Sequence, residues 1–324
     1  MKKLLQKFIF LFLITTSVNL FAENELSKEW QFNLVTDAAY YPKSDFIPGD
    51  AHFAPITGIY DLFVFRITGN AAYLLPINFG DHWLFKTSNL LFQTSAELTP
   101  VTFRAQQSFI FLPVPFFELQ TGFSAGLGWN FGNIQSLYEY NKNTNQYEKL
   151  STFRNVCLEY FIKAALMFDL GAVLPGDWKH VIMLIDYKAF YRGLTNLADD
   201  SIYIWQCSPG LTNGWQFDSN IILGYQLPLK LYRVGLITNF RGYLNSSVYE
   251  QYNSNFNGGF TTITFSPFLQ INLTRKNTLS IILEISSRRS FKEPHNLESE
   301  ELSLTYTGRE WFFNRIGLSW EKRF

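Results

Sequence analysis

The sequence predicts an all-β chain, a transmembrane antiparallel up-and-down β-barrel of about twelve strands, with ten to fourteen allowed. Three observations predict it. Apolar and polar residues alternate in run after run, the period of a strand with one apolar and one polar face. Short turns alternate with long polar segments along the chain. Aromatic residues make up 18% of the sequence, with 33 Phe and 17 Tyr, while charged residues reach only 17%, against about 25% in soluble domains. Mean hydropathy is nonetheless −0.03, the value expected when each strand averages an apolar face with a polar one.

Residues 1–22 read as a cleaved signal segment, with Lys2, Lys3 and Lys7 ahead of an apolar stretch from Phe8 to Ile14 and Ala22 at the cleavage point. That stretch is shorter than the roughly 20 residues a spanning helix needs. Residues 23–324 then form a single barrel domain. Its 27 basic groups less those three Lys leave 24 against 27 acidic ones, a balance that argues against nucleic acid as partner. No run of 18 apolar residues follows Ala22. Cys157 and Cys207 have no metal spacing; a disulfide and two free thiols are both open.

Strand one covers 29–41, with Trp30, Phe32, Leu34, Thr36, Ala38 and Tyr40 on one face. Strand two covers 58–75, where Gly69 suggests a bend. The remaining ten are 83–98, 101–112, 116–131, 153–170, 178–193, 214–227, 230–244, 259–273, 278–291 and 309–324. Residues 116–131 alternate most cleanly, Phe117, Leu119, Thr121, Phe123, Ala125, Leu127, Trp129 and Phe131 against Glu118, Gln120, Gly122, Ser124, Gly126, Gly128 and Asn130. The inward glycines make room for bulky neighbours. Short turns fall at Leu75-Pro76, Leu112-Pro113, Leu174-Pro175, Leu227-Pro228 and 274–277, and long polar segments at 42–57, 132–152, 194–213, 245–258 and 292–308. This asymmetry matches short periplasmic turns and long surface loops. Most Trp, including Trp30, Trp83, Trp129 and Trp178, sit towards strand ends, where a ring favours the membrane interface.

The last strand is expected to close the barrel on the first. Counting back from the end, Phe324, Trp320, Leu318, Ile316 and Phe312 share one parity, and Arg323, Glu321, Ser319, Gly317 and Arg315 the other. Ile316, Leu318, Trp320 and Phe324 resemble the terminal signature by which bacterial outer-membrane barrels are recognised by their assembly machinery; Lys322 departs from it, since that place is usually apolar. The Leu-Pro turns and Phe/Tyr-rich strands also resemble outer-membrane proteins of spirochaetes. The resemblance implies an integral outer-membrane protein with both termini periplasmic, in contact with outer-membrane lipid and, on its way there, with the assembly machinery and periplasmic chaperones.

Chemistry is sparse. No His has a Ser two places on: Ala54, Leu84, Ile182 and Leu297 stand there after His52, His82, His180 and His295. That removes the one-strand His/Ser arrangement of outer-membrane lipid hydrolases and argues against an enzyme. His180 reads as an interfacial side chain near a periplasmic strand end. No cofactor or metal motif is present. The candidate functional residues line the lumen: Arg66, Arg104, Glu118, Glu159, Lys163, Asp186, Lys188, Arg233, Arg241, Glu284, Arg288 and Arg315, with Asp37, Glu97, Asp169, Arg192 and Asp218 on the same parity. Both signs are present, so no strong anion or cation selectivity is expected. The expected function is a channel for small hydrophilic solutes; the alternative is a surface-exposed binding or structural barrel with a filled lumen. Loops 132–152 and 245–258, rich in Tyr and Asn, are the candidates for partner contact.

Deleting Phe324 is expected to lower the folded, heat-modifiable fraction recovered in the outer membrane; unchanged recovery on a gel of fractionated membranes would count against the terminal signal.

Overall fold

The alternating segments become twelve long antiparallel strands. The computed structural model describes residues 29–324 apart from 81, 83, 133, 135, 177 and 296–299; the expected signal segment and Trp83 lie outside the described residues. In chain order the barrel strands are β1 Glu29–Lys43, β2 Gly58–Pro76, β3 Asn89–Leu98, β4 Thr102–Val114, β5 Phe117–Gly128 and β6 Val156–Asp169. They continue with β7 His180–Leu194, β8 Gly214–Gln226, β9 Leu231–Tyr243, β10 Thr262–Thr274, β11 Asn277–Phe291 and β12 Tyr306–Arg323. Each pairs with its sequence neighbours, and β12 returns to β1 in register from Asn33↔Arg323 to Tyr40↔Ile316. The sheet is closed. Among the described residues no helix is long and apolar enough to cross a membrane.

Two faces follow from the pleat. On β6, Tyr160, Ile162, Leu166 and Phe168 are exposed outward, while Glu159, Phe161, Lys163, Ala165, Met167 and Asp169 are buried inward. On β5, Leu119 and Phe123 point out and Glu118 and Ser124 in. Large apolar side chains left bare on the outside of a closed barrel are stable against hydrocarbon and not against water.

Inward glycines give the interior its shape. A Cβ on Gly122 would stand 2.8 Å from the Phe161 ring, one on Gly224 2.9 Å from Ile182, and one on Gly235 2.8 Å from Phe268. Each bulky inward side chain therefore lies over a neighbouring strand's glycine.

Four expectations need correction. The connection after Leu75-Pro76 is not short: β3 begins at Asn89, and residues between carry Phe79 and Phe85, whose rings pack edge-on to each other at 6.2 Å, with Phe79 meeting outward Phe111 at 6.2 Å. Aromatic contact on the lipid side holds this segment as a connection. On β12 the register skips Asn314, pairing Glu284 with Arg315 but Ile285 with Phe313. The bulge reverses parity above it, so Trp311 and Phe313 face out, and Phe312 turns in to meet the Arg288 guanidinium at 4.5 Å. Segments 132–152 and 194–213 are not plain loops. They hold the hairpins Leu137–Asn141 with Gln146–Lys149 and Ile202–Trp205 with Ser208–Thr212, which join in a second, four-stranded sheet. Finally His180 faces inward and is buried, its Nδ1 2.8 Å from Asp169 Oδ2.

Placing Arg at Ile162, half-way along β6 on the lipid face, is expected to destabilise the barrel by about 2–4 kcal/mol. Gly122→Val, which drives a side chain into Phe161 and the Gln107 carbonyl, should cost at least the roughly 1–3 kcal/mol of an overpacked core. Denaturant unfolding from lipid vesicles measures both.

Candidate functional site: the barrel interior and its cap

The interior has three zones. Nearest the short-turn end lies an apolar cluster: Leu74 of β2, Leu91 of β3, Ile110 of β4, Met167 of β6, Ile182 of β7, Ile222 of β8 and Phe268 of β10, with Ile237 of β9 and Ile282 of β11 against it. Leu74, Leu91 and Ile110 are 0%, 1% and 0% exposed. A water-filled lumen would leave such side chains accessible from within, so here the barrel is packed solid. Apolar side chains interrupt the polar interior at this level. Inward Leu, Ile, Met and Phe meet there, with Ile182 and Phe268 seated over the inward Gly224 and Gly235.

Around the cluster lie the charges, most of them in pairs, with Arg233, Asp169 and His180 on its short-turn side. Glu159 is 3% exposed and accepts from Lys188 Nζ at 2.5 Å and Arg192 Nη2 at 2.8 Å. Lys163 Nζ lies 3.6 Å from Asp186, whose Oδ1 accepts from Asn220 at 3.0 Å. Glu118 is buried close by, with Oε1 lacking a hydrogen-bond partner among the described residues. Arg233 is fully buried against the side-chain oxygens of Gln270 and Gln226, at 3.2 and 3.5 Å. On the other wall Arg66 binds Asp37 at 2.6 Å, Arg104 binds Glu97 at 3.0 Å and Arg315 binds Glu284 at 2.5 Å; beside Asn220, Arg241 binds Asp218 at 2.6 Å. Arg288 pairs with Glu310 and lies over the Phe46 ring at 4.0 Å. Inward parity had collected every one of these cations; it missed Glu310, which lies beyond the β12 bulge, and its second partner His52 at 2.9 Å.

The third zone is the cap. Ile202, Tyr203, Ile204 and Trp205 are all buried. Trp205 lies across the inward glycines of β5, where a Cβ on Gly126 or Gly128 would stand 2.9 or 2.7 Å from its ring. The turn beyond it, Gln206–Cys207, has φ of 51° and 61° at its two residues, the left-handed pair of a tight hairpin turn. Its tip is tied down: Gln206 Nε2 donates to Glu97 Oε1 at 3.0 Å and to Thr102 Oγ1 at 2.8 Å. The short helix Ser247–Tyr252 completes the cap, with Tyr249 donating to the Gly210 carbonyl and Tyr252 to the Asp200 carbonyl. Burial pushes the Tyr252 phenol up to about 12, so it stays a donor at neutral pH. The hydrophobic pattern 202–205 was the legible signal; its burial was not. Cys157 and Cys207 are both free thiols.

Between cap and charged wall is a cavity of about 220 Å³, lined by Asp37, Arg66, Glu97, Arg315, Gln206 and Cys207 together with apolar residues.

A closed antiparallel sheet, an apolar exterior and an interior of paired charges define a β-barrel of the bacterial outer-membrane type. No protein-family model matches the sequence, and no curated protein does. Among solved structures the chain is similar to an outer-membrane channel of Pseudomonas putida F1, at 12% identity and a TM-score of 0.41 over 94% of this chain and 100% of that one. It is also similar to the β-domain of the Bordetella autotransporter BrkA, at 8% identity and 0.44 over 91% and 100%. A third is the outer-membrane channel DcaP of Acinetobacter baumannii, at 8% and 0.36 over 94% and 99%. At such values the likeness goes no further than the barrel.

Glu159→Ala leaves Lys188 and Arg192, 26% and 22% exposed, without their shared buried partner and should destabilise by up to about 3–5 kcal/mol. Asp218→Ala, opposite a largely exposed Arg241, should cost no more than about 1 kcal/mol. Equal losses in denaturant unfolding would refute the contrast between the buried and the exposed pair.

Proposed function

We propose that the protein is an outer-membrane barrel working as a sealed stem that presents a folded, aromatic-rich cap at the cell surface, where it binds a partner or ligand. One observation carries this reading: the apolar cluster drawn from nine strands, with Leu74, Leu91 and Ile110 inaccessible to water. Ions do not cross a packed apolar layer, so a standing pore for hydrophilic solutes has no path here. The cap supports the same reading. Its sheet and helix share a buried cluster of Tyr140, Ile202, Tyr249, Phe256, Phe291 and Leu302, a fixed surface of the kind that presents contact residues without first ordering a loop. In this reading the short turns and both chain termini face the periplasm, the chain is inserted by the assembly machinery that reads Ile316, Leu318, Trp320 and Phe324, and no catalysis is involved.

A second reading, passage of small hydrophilic solutes, draws on the cavity beneath the cap. It requires the apolar cluster to part. Reconstitution into planar bilayers separates the two: the sealed stem gives no stepwise conductance, and Leu91→Ser with Ile110→Ser, which makes the cluster polar, is expected to introduce it. Steady conductance from the unaltered, heat-modifiable protein would overturn the sealed-stem reading.

A further inference from the structure

We propose that the cavity beneath the cap binds a small zwitterion of the α-amino-carboxylate class, with its carboxylate on Arg66 and its ammonium on Asp37. The two walls of the lumen differ in wetness. Glu159 and Asp186 on one wall have 3% and 1% of their side chains exposed; Arg66 and Arg315 on the other have 47% and 38%, and Asp37 23%. Arg66, Arg315 and Asp37 thus keep contact with solvent and line one cavity together; Arg241, at 60%, lies off it.

Their hydrogen-bonding capacity is only partly used. Arg66 donates Nε to Oδ2 of Asp37 at 2.8 Å, and its Nη2 lies 2.6 Å from the same oxygen. Its Nη1 stands 3.6 Å from Glu97 Oε2, beyond hydrogen-bond reach. A guanidinium has five N–H donors, so Nη1 is left for an incoming carboxylate and Asp37 Oδ1 for an incoming ammonium. Gln206 spends its amide N–H on Glu97 and Thr102, which leaves its carbonyl to accept. Arg315 is held by Glu284 and the Tyr41 hydroxyl at the far side of the cavity.

Charge balance selects the class. Asp37, Glu97 and Glu284 oppose Arg66, Arg104 and Arg315, three of each sign, in three close pairs. A ligand with net charge would add an uncompensated ion to a half-buried site, whereas a zwitterion adds none. Size limits it further: about 220 Å³ holds a molecule of amino-acid dimensions and excludes an oligosaccharide. Ala39, Val64, Val101 and Ile134 on the same wall offer an apolar surface to a short aliphatic side chain.

This goes beyond the sealed-stem reading and does not depend on conductance. Cys207 lines the cavity and supplies the probe. Burial raises its thiol, so labelling with a small methanethiosulfonate reagent is run at alkaline pH, on the full-length, heat-modifiable protein carrying Cys157→Ser. Alanine and valine at ten times their Kd should slow labelling about tenfold, while propionate, isobutylamine and glucose leave it unchanged. Arg66→Gln should weaken the protection roughly tenfold or more, Arg66→Lys less, and Arg241→Gln, which lies off the cavity, not at all. If Arg66→Gln fails to fold, Asp37→Asn serves as the second variant with the same expected loss. Protection by propionate alone, by isobutylamine alone or by glucose overturns the ligand class. A reactive Cys207 that no amino acid protects, or an unreactive one, overturns the site.

Discussion

The closure of β12 onto β1 is the constraint on which everything else rests. A strand edge in hydrocarbon has no water to satisfy it, and each unsatisfied backbone group costs several kcal/mol. Eight consecutive residue pairs between Asn33↔Arg323 and Tyr40↔Ile316 remove both edges at once, and the Phe324 amide adds a hydrogen bond to the Phe32 carbonyl at 3.1 Å. Above Tyr40 the β1 partner is lost, and the upper part of β12 is covered instead by residues of the first surface segment: His52–Phe53 run parallel to Glu310–Trp311. Glu310 anchors that cover by accepting from the Ile47 amide at 3.1 Å and from Arg288, with His52 as a further partner. The cover and the seam are thus one device.

Closure fixes which side chains share the interior, and the interior must then be filled or neutralised. Twelve strands enclose more space than eight, where side chains fill the barrel. Large inward residues meet this by leaning over a neighbour's glycine, as Phe161 does on Gly122 and Phe268 on Gly235. Charges meet it by pairing. The desolvation cost of a buried ion is offset only by close partners, and Glu159 has two of them.

Much of this architecture was legible. Alternation located every barrel strand, short turns and long segments ordered their ends, and the inward glycines of residues 116–131 were read as spaces for bulky neighbours. Parity also named the interior charges. What parity does not carry is depth, or what meets a side chain across the lumen. Leu74, Leu91 and Ile110 share a face with Arg66, Glu97 and Arg104, and in sequence they look like interruptions of a polar face; only closure brings them together as a seal. The Asn314 bulge showed in the sequence only as a break in alternation at Asn314, Phe313 and Trp311; one skipped residue preserves composition while reversing every face beyond it. The hairpin at 202–205 carries a plain strand pattern, yet nothing local says that it packs inward on another strand's glycines.

The cap and the wet cavity are two results of one asymmetry. Trp205 leans on β5, and Cys157 of β6 and Leu194 of β7 lie in the same buried cluster. On that side the cap excludes water, and Glu159, Lys163 and Asp186 must find partners on adjacent strands. Over the cavity the cap places the tip of a turn, through Gln206 to Glu97 and Thr102. The seam strands β1, β2 and β12 are therefore left with Arg66, Arg315 and Asp37 in contact with solvent. A charge that keeps part of its hydration tolerates an incomplete set of partners, and an incomplete set is what allows a ligand to complete it. A second Trp-like wedge on the seam side would dry the cavity and bury the pairs of Arg66 with Asp37 and Arg315 with Glu284. With one wedge, one wall holds the structure and the other is free to bind.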